Sequence, residues 1–376
     1  MKILYLCTFY HRALLFRQQM DALAIRGHQV KAFNSAKFGE GVAEKFQPIM
    51  DEKVIHVECW NKIDRLLFFP RQWKIEKKLK YSYDLTQFDL LHSQLLLSSG
   101  YSALRMKRKY GIPYVLSVRV TDLTGFIKLP YFQKMALNIV KHANGVLFLS
   151  KCHKEEFVTR FLPQNEKEEF FRKSVVIGNS LEKFWAEHTA EPRKEKVNVQ
   201  KLRILTVAKI RPIKNLSIAA EAVEALRERG FGATLTVIGE NQDPIEYEKL
   251  KQYSCVQVLD FMKKGDLLNA YRAHDIFLLP SKNETFGRVY VEAMSQGLPI
   301  LYTIRQGFDK AFPDGQVGYS IPCDSPQTIA DRIEDIIQNY TEMSAQCIKG
   351  SKMYHEDHIT NQVEKFYRQA LQQEGE

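Results

Sequence analysis

The stretch Ile276-Phe277-Leu278-Leu279-Pro280-Ser281-Lys282-Asn283-Glu284-Thr285-Phe286-Gly287-Arg288-Val289-Tyr290-Val291-Glu292-Ala293-Met294 decides how this chain is read. Its first four residues form an unbroken apolar run, the pattern of a buried strand. A polar turn follows, in which Asn283 or Thr285 can cap a helix. Val289, Val291, Ala293 and Met294 carry the apolar pattern to Gly297, a stop just past the last helical turn. Pro299 and a second apolar run, Ile300-Leu301-Tyr302, come next. Strand, loop, helix, strand is one right-handed parallel crossover, the unit of a doubly wound α/β fold.

Two carboxylates lie eight residues apart in this unit, Glu284 in the loop and Glu292 in the helix. That spacing is a little over two helical turns, so both can face the crevice above the strand's carboxyl end. Between them a helix start offers the amides of Thr285, Phe286 and Gly287 to an anion. Acceptors for hydroxyls beside an anion-binding end suit a sugar joined to a phosphate. Either Glu taken alone reads as a solvated charge.

The composite pattern is more specific. Glu284-x7-Glu292, with Phe286-Gly287 after the first Glu, Ala293-Met294 after the second and then Gly297-Leu298-Pro299, resembles the donor-site motif of the GT4 family of retaining glycosyltransferases. The resemblance implies a GT-B fold: two Rossmann-like domains facing across a cleft, a nucleotide-diphosphate sugar as donor, and no cofactor or metal. It gives Glu284 the donor-sugar hydroxyls and Glu292 the nucleotide ribose.

Length and composition agree with two domains: 376 residues, 45% hydrophobic, 26% charged, with no low-complexity tract. No apolar run approaches the ~18 residues of a spanning helix, and the N-terminus enters a strand pattern without the layout of a signal peptide. The six cysteines show no ligand spacing, which fits structural thiols in a reducing cytosol. A cytoplasmic protein, peripheral at the inner face of the plasma membrane, is the expectation. The net charge of +10 is one-sided: residues 1–180 hold 29 Lys and Arg against 16 Asp and Glu, the rest 25 against 28. A basic N-terminal half points to a polyanion or an anionic membrane surface. No nucleic-acid-binding motif accompanies the charge.

From the N-terminus, residues 2–6 read as a first strand and 14–26 as an amphipathic helix. GT4 enzymes usually carry a glycine pair at this junction; here it is Thr8-Phe9-Tyr10-His11-Arg12-Ala13, leaving Arg12 or Arg17 to supply charge. Residues 60–80 mix aromatic and aliphatic residues with seven basic ones and two acids. They read either as an interfacial segment over anionic lipid or as a helix packed on its own domain with a basic outer face. Residues 105–109 are a second basic cluster that could extend the same face. After the strand at 114–118, Arg119 stands where many GT4 members have a sugar-contacting His, and Asp122 fits the family pattern. A guanidinium stays protonated, so Arg119 cannot be a general base; it can hold an acidic sugar or a phosphate. A loop Arg paired with Asp122 is the structural alternative. Asn179 resembles the family's asparagine turn.

In the second half the resemblance gives the diphosphate to Lys214, with Lys209 in place of the usual Arg. Gly239 ends the next strand, where relatives place donor-proximal backbone, and Gly307 lies in a loop where relatives have two glycines. His355 and His358 lack a third ligand, so no metal site is read. The domains are expected at 1–185 (acceptor binding) and 201–354 (nucleotide-sugar binding), with a linker at 186–200 and a helix at 355–376 that crosses back to the first domain. The expected partners are a nucleotide-sugar donor and a glycan or lipid-linked acceptor in cell-surface polysaccharide synthesis, with no nucleic acid. Two other functions fit the same fold: a non-catalytic binding subunit, motivated by the missing glycines and Arg119, and a sugar-nucleotide epimerase.

Overall fold

Short apolar runs between amphipathic helices become parallel strands, because each crossover helix covers one face of the sheet and leaves the strands buried. The computed structural model describes residues 1–10, 14–42, 51–65, 67–193 and 195–372. The first sheet holds β1 (Lys2–Cys7), β2 (Gln29–Lys37), β3 (Val54–Trp60), β4 (Leu90–Ser93), β5 (Tyr114–Val118), β6 (Gly145–Phe148) and β7 (Ser174–Val176). Its order is β3-β2-β1-β4-β5-β6-β7, all pairs parallel. The order reverses at β1 and β4, the switch point where such sheets open a crevice at their carboxyl ends.

The second sheet holds β8 (Leu202–Val207), β9 (Ala233–Ile238), β10 (Val256–Leu259), β11 (Ile276–Leu279), β12 (Ile300–Thr303) and β13 (Gly318–Ile321). Its order is β10-β9-β8-β11-β12-β13, again all parallel, and it reverses at β8 and β11. The chain divides into two compact units, one of residues 1–149, 153–180 and 356–376, the other of 150–152 and 181–355. Lys183–Glu187 is helical, the Ala190 amide donates to Ser295 O at 2.9 Å, and the Arg193 amide donates to Ser344 Oγ at 2.9 Å. All of these lie within the second unit.

The last helix, Glu356–Gln372, belongs to the first unit, and Phe366 and Tyr367 are buried there. Tyr367 Oη lies 2.7 Å from His92 Nδ1 and 3.0 Å from Tyr5 Oη, while His92 Nε2 is 2.8 Å from Ser117 Oγ. Burial, helped by the charge of Arg119, lowers the His92 pKa to about 3. Between that value and the 6.5 of an unfolded histidine, only the unfolded chain binds this proton, so the contribution of His92 to stability shrinks as pH falls through the window. Asp122, raised to about 6 by burial, titrates with the opposite sign. A comparison of variants isolates His92. Urea unfolding from pH 6.5 downward is expected to show wild type losing stability faster than His92→Gln; parallel curves would refute the assignment.

Candidate functional site

In the second unit, the loops after β8 and β11 meet at the switch point. The turn Pro212–Lys214 is closed by Asn215 in the left-handed region at φ 57°, and Asn215 Nδ2 donates to the Cys323 carbonyl at 2.6 Å. The Lys282 amide donates to Ile213 O at 2.9 Å, tying the second loop to the first. This brings Lys214 Nζ to 2.8 Å from Glu284 Oε2, with both side chains largely covered. The Glu284 backbone is gripped by the loop after β12. Its amide donates to Gln306 Oε1 at 3.0 Å, and its carbonyl accepts from the Gly307 amide at 2.9 Å. Gln306 was missed by sequence reasoning; its one signal was the adjacent Gly307.

The helix begins later than its sequence suggests, at Arg288, with Gly287 as its N-cap at φ 81°. An L-residue strains at that φ, and a Cβ at 287 would meet the Tyr290 ring. The Thr285 amide is already taken by Glu284 Oε1, at 3.1 Å. Phe286 is not at the surface of the crevice: its ring is 3% exposed and packs on Phe308 and Tyr354. Of the amides at this end, that of Thr285 is therefore engaged, and those of Arg288 and Val289 open the helix.

Glu292 is half-buried on the helix's second turn. Tyr271 Oη donates to its Oε2 at 3.4 Å, and burial raises its pKa, with Arg288 opposing and Glu182 adding to the rise. Arg288 lies 3.9 Å from Glu182, which also pairs with Lys264. Buried Tyr271 is a second residue that the sequence did not flag. Lys209 pairs at 3.1 Å with Glu240, both half-exposed, so its charge is offset. Gly239 follows β9, its amide donating to Leu259 O at 3.1 Å.

In the first unit, Arg119 sits at the carboxyl end of β5, beside the end of β4. Its Nε donates to Gln94 O and its Nη2 to Gln94 Oε1, each at 3.1 Å. The guanidinium lies 5.3 Å from the Phe9 ring centre and 5.2 Å from that of Phe16. Burial lowers its pKa. The alternative reading, a side-chain pairing of Arg119 with Asp122, gives way to a cap: the Asp122 carboxylate accepts the amides of Arg119 at 2.9 Å and Leu96 at 3.2 Å. Asp122 therefore acts on the backbone, and Gln94 takes the guanidinium. Arg119, Gln94, His92, Ser117, Asn179 and Glu356 line one pocket that is partly open to solvent. Gln94 is 2% exposed, and its Nε2 has no hydrogen-bond partner among the described residues. Arg17 is spent on Asp21 and Asp51, at 2.6 and 2.5 Å, and Arg12 lies outside the described residues. Among the described residues no group of three His, Cys, Asp or Glu could hold a metal ion, and no helix is long and apolar enough to cross a membrane.

Two all-parallel doubly wound sheets, each with its crevice at a strand-order reversal, form an α/β fold of the GT-B class. Anabaena HepE in complex with UDP matches with a TM-score of 0.71 at 16% identity, over 98% of this chain and 100% of that one. Sucrose-phosphate synthase from Thermosynechococcus elongatus also gives 0.71 at 16% identity, over 98% and 99%. Residues 15–167 match the model for Glycosyltransferase Family 4, and residues 187–353 that for Glycosyl transferases group 1. The chain belongs to the GT4-type glycosyltransferases. Among curated relatives, a D-inositol 3-phosphate glycosyltransferase from Corynebacterium glutamicum is 27% identical over 45% of this chain and 44% of its own length. An alpha-monoglucosyldiacylglycerol synthase from Acholeplasma laidlawii is 25% identical over 67% of this chain and 66% of its own length. The matched stretch thus spans about half to two thirds of these relatives.

Proposed function

We propose that the chain is a retaining glycosyltransferase that moves a sugar from a nucleotide-diphosphate sugar to a glycan or lipid-linked acceptor in cell-surface polysaccharide synthesis. The observation that carries this is the Lys214–Glu284 pair at the switch point of the second sheet, 2.8 Å apart. A largely covered cation beside a carboxylate can separate onto two parts of one donor: Lys214 onto the diphosphate, Glu284 onto the sugar hydroxyls. In the transfer the bond between the anomeric carbon and the phosphate oxygen breaks. Its electron pair leaves with the nucleoside diphosphate, and the acceptor oxygen bonds to the same face of the anomeric carbon. The acceptor hydroxyl gives its proton to the departing phosphate oxygen on that same face, and no side chain is assigned as nucleophile. Lys214, Lys209 once released from Glu240, and the amides of Arg288 and Val289 would neutralise the departing charge without a metal ion. Glu292, held by Tyr271, would accept the ribose hydroxyls.

The first unit would take the acceptor, with Arg119 and the unpartnered Nε2 of Gln94 offering donors to an acidic group in their pocket. The test is a thermal-shift and turnover panel of UDP-, GDP- and ADP-sugars, led by UDP-sugars because structural relatives bind UDP. A donor at a hundred times its dissociation constant is expected to stabilise the chain by about 2.7 kcal/mol. No shift with any nucleotide would favour the non-catalytic relative. Conversion of the donor without an acceptor to an epimeric sugar nucleotide would favour the epimerase.

A further inference from the structure

The helix Phe68–Ser82 turns Phe68, Gln72, Ile75, Glu76 and Leu79 inward. The opposite face carries Phe69, Trp73 and Lys77 at successive four-residue steps. Trp73 is 62% exposed, and Lys77 Nζ stands 5.4 Å from its ring centre. A second element completes the patch. Phe69 lies 6.1 Å, edge-on, from Tyr131, which is 62% exposed at the start of the helix Pro130–His142 and follows Leu129, itself 51% exposed. Residues 126–142 contain three lysines and no acid. The carboxylates of residues 60–80 are already engaged, Asp64 by Lys74 at 2.8 Å and Glu76 by Arg105 at 2.8 Å. Lys77, Lys78, Lys128 and Lys134 have no carboxylate partner among the described residues.

We propose that this face of the first unit docks on an anionic lipid bilayer. An exposed tryptophan and tyrosine beside an aliphatic residue suit the headgroup boundary, where their rings sit with the polar edge wet. Unpaired lysines around them complement anionic phospholipid, and the two terms together give the two-signal attachment that a peripheral protein needs. Part of the basic cluster at 105–109 is engaged within the unit. Within 105–109, Arg105 is held by Glu76, and Lys107 donates to His142 O at 3.3 Å and Asn144 Oδ1 at 2.7 Å. Lys128 and Lys134 add basic charge next to Leu129 and Tyr131. A second copy is the poorer occupant, because a two-fold interface sets the patch against itself and opposes its own lysines. This inference stands on the first unit alone and holds whether or not the donor reading does.

The test is co-sedimentation of the full chain with phosphatidylcholine vesicles, with and without phosphatidylglycerol. Wild type is expected to bind the anionic vesicles at least about tenfold more tightly and to release at high salt. A Phe69→Ser/Trp73→Ser variant and a Lys77→Glu/Lys134→Glu variant are each expected to lose about tenfold or more. Unchanged thermal unfolding and nucleotide binding in both variants would show that the fold and the donor site survive. Equal binding to neutral vesicles, no binding to either, or full binding by both variants would overturn the proposal. So would a dimer that the same variants dissociate, or tighter binding to RNA than to vesicles.

Discussion

Lys214→Ala is expected to lower kcat/KM by about 10²–10³-fold, the usual cost of removing one preorganised charge from a developing anion. The residue is fixed before any ligand arrives: Asn215 anchors the turn to Cys323, and Glu284 holds Nζ at 2.8 Å. A cation already in position reorganises little as the diphosphate leaves, so most of its interaction appears in the transition state. The loss should therefore fall on kcat more than on donor affinity. Removing Lys214 also leaves the largely covered Glu284 carboxylate without the cation that holds it in place. Lys214→Arg should recover part of the rate, whereas Lys209→Ala should cost much less, because that lysine is half-exposed and offset by Glu240. Steady-state kinetics with the donor found by the panel, beside the donor dissociation constant, checks the division. A loss below about tenfold in Lys214→Ala would remove the residue from the chemistry.

The donor half was legible because its signals are local. The run Ile276-Phe277-Leu278-Leu279 becomes β11, and the turn and helix follow within a few residues. Glu284 and Lys214, 70 residues apart, could be joined only through a known family pattern; the bond itself depends on β8 and β11 being neighbours, which the sheet order decides. Where the reading slipped, tertiary packing outweighed a local signal. Thr285 looked like a helix cap, yet its amide closes onto Glu284, and the buried ring of Phe286 pulls the start of the helix on to Arg288. Arg119 and Asp122 are spaced to pair, but Gln94, at the end of the adjacent strand, takes the guanidinium instead. No spacing rule links residues 94 and 119. The aromatic face fared similarly: residues 60–80 were conspicuous, but Tyr131 joins Trp73 and Phe69 only through the packing of separate helices.

Gly307→Ala is expected to damage the donor site from a position that carries no chemistry. An added Cβ at 307 would lie 2.3 Å from the Thr285 carbonyl carbon and 2.5 Å from the Phe286 nitrogen. Those atoms are backbone, so the methyl cannot be absorbed by a side-chain rotation; the 284–287 loop or the loop after β12 has to move. Two bonds then suffer together, Gly307 N–H to Glu284 O and Glu284 N–H to Gln306 Oε1. These bonds hold the Glu284 backbone, so the carboxylate shifts away from Lys214 and from the sugar it would meet. A displacement of about 1 Å can cost about a hundredfold in rate, and overpacking of this kind costs about 1–3 kcal/mol in stability. The matched control is Gly265→Ala, which is helical and has open space around its Cβ; it should be neutral or slightly stabilising. Thermal unfolding and donor titration of both variants separate the cases. Wild-type donor affinity and turnover in Gly307→Ala would show that the loop after β12 does not set the position of Glu284.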